Sequence, residues 1–118
     1  MEATGDGSQR GAFAPSQVVT VFRSRRRDES EDAYVEVAAA MEVAARAAPG
    51  FIDFKTFVAE DGERVSLVTF DSPATNRAWR DDPRHRRAQQ QGRDEFYLEY
   101  TVQVGECTHV SRWERPQA

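Results

Sequence analysis

The sequence of 118 residues contains little sulfur, almost no lysine and no long apolar run. Cys107 is its single cysteine, which excludes an internal disulfide and a metal site built from several cysteines. No apolar stretch approaches the ~20 residues that cross a bilayer, and residues 1–17 lack the apolar core of a secretory signal. These absences predict a cytoplasmic protein that does not act in a membrane.

Basic residues are fewer than acidic ones, although arginine is common. The chain has 20 acidic residues against 16 basic ones and a formal net charge of −4. Lys55 is the single lysine, and arginines cluster at 25–27 and again around His85. A net negative charge argues against a nucleic-acid partner, and such clusters are usually solvated faces. We therefore expect no nucleic-acid surface.

The length allows one domain, because 118 residues suffice for a single hydrophobic core and not for two. At 39% hydrophobic and 31% charged residues the composition is that of a globular protein. We predict a disordered leader over residues 1–16, a folded domain over residues 17–110 and a C-terminal tail over residues 111–118.

The first half of the chain predicts a strand, a helix and a hairpin. Val18–Arg23 is short and β-branched, as strands are, and a charged loop over 25–30 follows it. Apolar residues then recur at intervals of three and four over 34–48, the spacing of an amphipathic helix, which Pro49-Gly50 ends. Strands are predicted over 51–60 and 64–70, joined by a tight turn at Asp61-Gly62.

The second half predicts two short helices and a last strand. Ser72-Pro73 combines a capping hydroxyl with a proline at the first helical position, and Asp82-Pro83 repeats this arrangement ten residues later. The two helices should meet near Asp81. Residues 95–106 are rich in β-branched and aromatic side chains and predict the longest strand.

This order of elements predicts an α+β fold, a ferredoxin-like βαββαβ unit with an antiparallel sheet and its helices on one face. In the first strand Val18, Thr20 and Phe22 alternate with Val19 and Val21, so both faces are apolar. The helices can cover one face. A second copy of the chain is expected to cover the other, in a homodimer that buries ~1,600 Å² or more in total.

Trp79 and His85 lie six residues apart, on either side of the predicted helix break. On one continuous helix this spacing would direct the two side chains apart. A change of helix direction between them allows both rings to line one cleft. We therefore treat this pair as the centre of a candidate site.

A series of short segments occurs in an order that resembles the antibiotic biosynthesis monooxygenase family, a branch of the dimeric α+β barrel superfamily. The segments cover roughly residues 17–107 and are Pro49-Gly50-Phe51, Phe70-Asp71-Ser72, Trp79 with Asp82-Pro83 and His85, Gly92-Arg93, and Phe96-Tyr97 with Tyr100 and Gln103-Val104. The resemblance implies a dimeric barrel with one pocket per subunit between sheet and helices. Some members of the family oxidise polyketide anthrones or quinols with molecular oxygen and no bound cofactor, and others degrade haem.

An oxygenase without a cofactor must deprotonate its substrate and exclude water, because an electron-rich anion gives an electron to oxygen far more readily than a neutral molecule does. His85 is the expected proton acceptor, since an imidazole titrates near neutral pH. Trp79 would stack on a planar substrate, and Asn76 would donate a hydrogen bond to a developing oxyanion. These three residues form the predicted catalytic set.

A second set of residues is expected to bind the substrate. Arg23 and Arg93 are candidates for stabilising an anion. Phe22, Tyr34 and Met41 should point from the first strand and the long helix into the same interior, and Tyr97 belongs to the last motif of the resemblance. No metal or cofactor site is predicted.

Each of these residues also has a purely structural interpretation. Trp79, Tyr34 and Met41 have the spacing of core residues, and His85 and Asn76 fit a surface or a helix start. Arg93 has Glu95 near it in sequence, and an exposed pair of that kind contributes only about 0–1 kcal/mol. Both interpretations stay open at this point.

Two functions follow, of which the first is a cofactor-independent monooxygenase that oxidises an electron-rich aromatic compound such as an anthrone or a quinol. The second is a non-catalytic ligand-binding or accessory barrel. Haem degradation is disfavoured, because the haem-degrading relatives that this chain resembles place their iron-ligating histidine near the position of Gln89 and an asparagine on the first strand, where this chain has Thr20 and Phe22.

Overall fold

The computed structural model describes residues 13–28 and 31–117. The predicted leader falls mostly on residues 1–12, which lie outside the described residues. The start of the domain is joined to its end, because the backbone N–H of Ser16 donates to the carbonyl of Cys107 at 2.8 Å, and the N–H of Cys107 donates to Gln17 at 2.7 Å.

The described residues form four strands, three α-helices and one π-helical turn, in the predicted order. The strands are β1 Val18–Arg26, β2 Phe51–Val58, β3 Arg64–Phe70 and β4 Tyr97–Glu106. The helices are α1 Glu31–Ala47, α2 Pro73–Arg80 and α3 Pro83–Gln91, and the π-helical turn Gly92–Phe96 leads directly into β4.

Two predicted boundaries are corrected. Arg25 and Arg26 belong to β1 and pair with Glu99 and Tyr97 of β4, so the predicted charged loop starts later than expected. The last strand begins at Tyr97 and not at residue 95, because the two preceding residues are wound into the π-helical turn. In both places sheet pairing and the wider turn decide the boundary, and neither leaves a local signal in the sequence.

The four strands form one antiparallel sheet in the order β2-β3-β1-β4. This arrangement confirms the predicted α+β, ferredoxin-like fold. In the register, Thr20 pairs with Val68 and Phe22 with Ser66, so these residues share one face of the sheet. Alternation along the strands places Val19, Val21 and Arg23 on the other face.

The helices α2 and α3 start where the sequence predicts. The Ser72 hydroxyl accepts a hydrogen bond from the N–H of Thr75 at 3.2 Å, and the Thr75 hydroxyl accepts one from the N–H of Ser72 at 3.3 Å. Asp82 accepts from the N–H of Arg84 at 2.8 Å, and the Arg84 side chain and N–H together lower the pKa of Asp82 to about 2. These caps satisfy N–H groups that a helix start leaves unpaired.

Gly50 closes α1 and leads into β2 with φ of 81°. A Cβ atom there would lie 2.5 Å from Asp71 Oδ1 and 2.6 Å from Thr75 Cβ. Both the backbone angle and the lack of space therefore require glycine at this position.

The core lies between one face of the sheet and the helices. It contains Ala44, Ala45, Val68, Phe70 and Trp79, of which Ala45 and Phe70 are fully buried. On the opposite face Val19, Val21, Val65 and Leu67 form an apolar surface in which every residue is only half-buried. The prediction that both faces of the sheet are apolar holds for these residues, and the predicted dimer stays a prediction.

Candidate functional site

A cavity of about 440 Å³ lies between the sheet and the helices. Its floor is formed by alternate residues of β1 and β3, among them Thr20, Phe22 and Val68, and its walls come from α1 and the α2–α3 pair. This volume falls in the range of small-molecule sites. The space between Trp79, Phe22 and Met41 is therefore open and not filled by the side chains themselves.

The cavity reaches the edge of the sheet at β4. Val102 and Val104 line it, although 42% and 48% of their respective surfaces are exposed. The cavity is therefore open to solvent along this edge of the sheet.

Trp79 and His85 are in direct contact on the cavity wall. Their ring centroids are 4.6 Å apart and the planes are inclined by 22°, so the imidazole stacks on the indole. His85 Nδ1 lies 3.2 Å from the backbone carbonyl of Trp79. Because a carbonyl only accepts, this contact assigns the proton to Nδ1 and leaves Nε2 with a free lone pair.

The environment of His85 favours the neutral imidazole. Burial lowers the pKa of His85, while the hydrogen bond to Trp79 and the charge of Asp82 act in the opposite direction and are the smaller effects. A neutral imidazole with a free Nε2 is a proton acceptor. The structure therefore supplies a base on the wall of an otherwise mostly apolar cavity.

Asn76 and Thr20 form the polar part of the same wall. The Thr20 hydroxyl donates to Asn76 Oδ1 at 3.3 Å, and Asn76 is buried, with 5% of its surface exposed. With its oxygen held by Thr20, the amide presents its NH₂ group as the remaining donor. A donor in this position suits an oxyanion that forms on a bound molecule.

Aromatic rings surround the other end of the cavity. Phe22 lies 5.5 Å from Tyr97 and 5.3 Å from Tyr100, and Tyr34 lies 6.2 Å from Tyr97, all measured between ring centroids. Burial raises the pKa of Tyr97 above its ordinary value, so its hydroxyl stays protonated and acts as a donor. Such rings bind a planar aromatic molecule by stacking and edge contacts.

The family model described as antibiotic biosynthesis monooxygenase matches residues 17–91. The chain belongs to this family. Among curated proteins it is similar to YqjZ, an uncharacterized protein of Bacillus subtilis (strain 168), with 29% identity over 90 residues, which are 76% of this chain and 78% of YqjZ. The family match therefore confirms the resemblance that the sequence motifs indicated.

Solved structures of similar fold include a cofactor-independent oxygenase and a mycobacterial protein. SnoaB, a cofactor-independent oxygenase from Streptomyces nogalater, superposes with a TM-score of 0.66 and 14% identity over 86% of this chain and 99% of SnoaB. Rv0793 from Mycobacterium tuberculosis superposes with a TM-score of 0.67 and 19% identity over 86% of this chain and the whole of Rv0793. At these identities the likeness establishes the shared fold alone.

In this member of the antibiotic biosynthesis monooxygenase family, most of the predicted site residues meet at the cavity. The lining includes seven of them, which are Phe22, Tyr34, Met41, Asn76, Trp79, His85 and Tyr97. They come from β1, α1, α2, α3 and the start of β4, so the fold brings together residues that are far apart in sequence.

The two predicted anion-binding arginines are not among the cavity lining residues. Arg23 follows Phe22 on a strand, so strand alternation turns it to the opposite face, where it pairs with Glu63 at 2.7 Å. Arg93 lies on the exposed side of the π-helical turn and donates to the Tyr100 hydroxyl at 2.9 Å and to Gln90 at 2.8 Å. Arg93 therefore positions a lining residue instead of facing the cavity.

Several lining residues were not predicted, and Arg64, Tyr100 and Thr20 are the polar ones among them that matter most. Strand alternation offers a signal for Arg64, because it shares a strand face with Ser66 and Val68. The face that a strand turns toward a site is fixed by its partners, however, and the sequence of β3 alone does not reveal it.

Two further features are absent from residues 13–28 and 31–117. None of the helices there has the length and apolar character that a membrane span requires. No cluster of three or more histidine, cysteine, aspartate or glutamate side chains suitable for a metal ion occurs in the same residues.

Proposed function

We propose that the cavity is the active site of a small monooxygenase, which oxidises an electron-rich aromatic compound with molecular oxygen and without a bound cofactor. Membership of the family supports this proposal, as does the fold shared with SnoaB. The substrate would be a planar molecule of the anthrone or quinol type, since the lining is largely aromatic and aliphatic.

The observation that carries the proposal is the state of His85. Its Nδ1 is engaged with the Trp79 carbonyl at 3.2 Å, its ring rests against the indole, and burial keeps it neutral. A base that is oriented, uncharged and next to a stacking surface is what proton abstraction from a bound aromatic acid requires. The hydrogen bond to a carbonyl in the last turn of α2 is also what a helix-capping histidine makes, whereas capping does not require the stack on the indole or a place on the cavity wall.

The proposed reaction begins with a proton transfer from the substrate to His85 Nε2. The negative charge then develops on a substrate oxygen, where the NH₂ group of Asn76 would stabilise it. The anion gives one electron to oxygen, and the resulting substrate radical and superoxide combine to form a peroxide anion at the substrate carbon. Loss of water, with proton return from the imidazolium, leaves a carbonyl group at that carbon, so one oxygen atom enters the product and the other enters water.

We also propose that the protein functions as a homodimer. The apolar surface of Val19, Val21, Val65 and Leu67 lies on the sheet face opposite the cavity, and each of these residues is only half-buried in the single chain. A second copy packed against this face would remove it from water. The cavity would remain within each subunit.

A single pair of variants tests the catalytic proposal. His85→Ala should lower the turnover of an anthrone by roughly 10²–10⁴-fold, the usual contribution of a positioned acid or base. The matched control is His109→Ala, which removes the other histidine from an exposed position in the tail. Oxygen-electrode rates and melting temperatures of both variants are compared with those of the wild type.

Three outcomes are informative. A large loss of rate in His85→Ala, with His109→Ala unchanged and both variants folded, supports the base. Equal rates in wild type and His85→Ala would remove His85 from the mechanism. A wild type that binds anthrones and quinols but consumes no oxygen would favour the alternative, a non-catalytic ligand-binding barrel.

A further inference from the structure

Arg64 is the first residue of β3, and its side chain contributes to two hollows. It lines the main cavity, on the same strand face as Ser66 and Val68. It also lines an adjoining polar hollow of about 220 Å³ together with Arg26, Arg27, Asp28 and Glu31. The guanidinium therefore stands at the boundary between the mostly apolar cavity and the polar hollow.

Within the described part of the chain, the Arg64 guanidinium is incompletely satisfied. Its Nε is buried and has no hydrogen-bond partner there. The Arg64 guanidinium lies over the Tyr34 ring, whose centroid is 5.6 Å from the guanidinium carbon. A cation over an aromatic ring is stabilising, but the ring does not supply the hydrogen-bond acceptor that the Nε–H group lacks. A buried donor without an acceptor is costly. Because this Nε is closed to solvent, a ligand would approach the guanidinium through its two terminal NH₂ groups.

The neighbouring strand arginines differ from Arg64. Arg23 pairs with Glu63 and Arg26 with Glu31, each at 2.7 Å. Glu31, a carboxylate of the polar hollow, is therefore already engaged by Arg26. Asp28 is the other carboxylate of that hollow, and it forms no ion pair with Arg64 among the described residues. Among residues 13–28 and 31–117, Arg64 is thus a cation beside the cavity without a carboxylate partner of its own.

We propose that Arg64 is the anion-binding residue of the cavity and that it recognises a carboxylate carried by the ligand. A guanidinium offers a planar fork of N–H donors that matches the two oxygens of a carboxylate. A bound carboxylate would neutralise the cation and accept the N–H bonds that the protein leaves unmade. This assigns to Arg64 the role that the sequence suggests for Arg23 or Arg93.

The position of Arg64 also sets the orientation of the ligand. Arg64 lies four positions before Val68, which corresponds to ~13 Å along a strand. Val68 pairs with Thr20, whose hydroxyl contacts Asn76. The substrate class that follows is a planar fused-ring aromatic compound with its carboxylate at Arg64 and its reacting carbon near Asn76 and His85. This substrate class rests on the oxygenase function proposed above, whereas the anion site does not.

The test compares two ligands that differ only in charge, anthraquinone-2-carboxylate and anthraquinone-2-carboxamide. Affinities are measured by calorimetry at pH 7, where the carboxylate is ionised, and without turnover. Wild-type protein should bind the carboxylate roughly 10- to 100-fold more tightly than the carboxamide, as a charge-assisted hydrogen bond allows. Arg64→Gln should abolish that preference and leave carboxamide binding nearly unchanged.

Two further variants complete the experiment. Arg23→Gln removes a cation from the opposite sheet face and should keep the full preference. Arg64→Lys keeps the charge without the planar fork and should keep part of the preference for the carboxylate. This variant also serves as the test if Arg64→Gln fails to fold. Equal affinity of the wild type for both ligands, no binding of either, or an intact preference in Arg64→Gln would each overturn the proposal.

The same measurement separates the anion site from the reaction. A carboxylate preference that depends on Arg64, in a protein that consumes no oxygen with any anthrone, would support the anion site and reject the oxygenase. Oxygen consumption with no carboxylate preference would reject the anion site and leave the oxygenase intact.

Discussion

At the scale of single residues, Trp79 serves the core and the cavity wall together. It is 8% exposed and stacks at 6.2 Å on the buried Phe70, and it also supports His85 at 4.6 Å. Trp79 is therefore a core residue that also lines the cavity, and its role in substrate binding stays a prediction. Its replacement would alter packing and the site simultaneously, so His85 is the more informative residue for mutagenesis.

The lowered pKa of His85 predicts the pH dependence of the reaction. A base works only when it is unprotonated, so kcat/KM should fall on the acid side with an inflection below about 6.5, the ordinary value for histidine. Rates are measured with a substrate that does not titrate in that range. An inflection at or above the ordinary value, or the same inflection in His85→Gln, would contradict the assignment.

The lowered pKa of His85 also makes the stability of the fold depend on pH. The unfolded chain, with His85 at its ordinary pKa, takes up a proton at higher pH than the folded protein does. The contribution of His85 to stability is therefore fully present above about 6.5 and is lost as the pH falls through the folded pKa. Denaturant midpoints should decline more across that interval for the wild type than for His85→Gln.

At the scale of elements, the π-helical turn Gly92–Phe96 determines how β4 enters the site. The turn buries Phe96, which is 2% exposed, and brings the Tyr97 ring across Gly92. Such widened turns often occur at functional sites. Here the turn places Tyr97 against Phe22 and Tyr34 on the cavity lining.

Gly92→Ala should disturb this arrangement. The added Cβ would lie 2.5 Å from Tyr97 Cε2 and 2.8 Å from Cδ2, and neighbouring rings enclose Tyr97. Overpacking costs typically 1–3 kcal/mol, whereas replacing a helical glycine by alanine gains only about 1 kcal/mol. We expect a net loss of up to about 2 kcal/mol by these magnitudes and weaker binding of an anthrone ligand.

Gly105→Ala is the matched control, because a Cβ there meets no atom within 4 Å. Chemical denaturation and ligand titration of the two variants make the comparison. Equal stability and equal affinity in Gly92→Ala and Gly105→Ala would show that the Tyr97 ring is free to move and that Gly92 does not position it.

At the scale of the whole molecule, the helices cover one face of the sheet and leave the other face uncovered. The second face carries the apolar surface of Val19, Val21, Val65 and Leu67, flanked by the Arg23–Glu63 ion pair. Apolar residues at the centre and charges at the edge are the usual composition of a protein interface. The assembly is therefore open to a direct test.

Val21→Asp should convert the proposed dimer into a monomer, because it would bury an unpaired carboxylate between the two sheets. The control is Val43→Asp on α1, at a position that is 70% exposed. Sedimentation at micromolar concentration gives the mass of each protein. A wild type that sediments as a stable, folded monomer would reject the dimer, and a Val21→Asp protein that remains dimeric would reject this sheet face as its interface.

Local signals in the sequence determined the elements. The caps at Ser72 and Asp82 act within three residues, and the break between α2 and α3 that allows Trp79 and His85 to meet follows from them. The order of strands and helices was readable for the same reason, since propensity and capping are energies of neighbouring residues.

The tertiary structure alone decided which polar groups meet. Thr20 and Asn76 are 56 residues apart and touch only because β1 lies beneath α2. Strand register turns Arg23 away from the cavity and Arg64 toward it, and a shift of one residue in either strand would turn its arginine to the other face. The π-helical turn that sets Tyr97 in place has no sequence signature of its own. Register is fixed by the sum of contacts between distant strands, so the choice of Arg64 over Arg23 as the arginine that lines the site became readable only when the strands were paired.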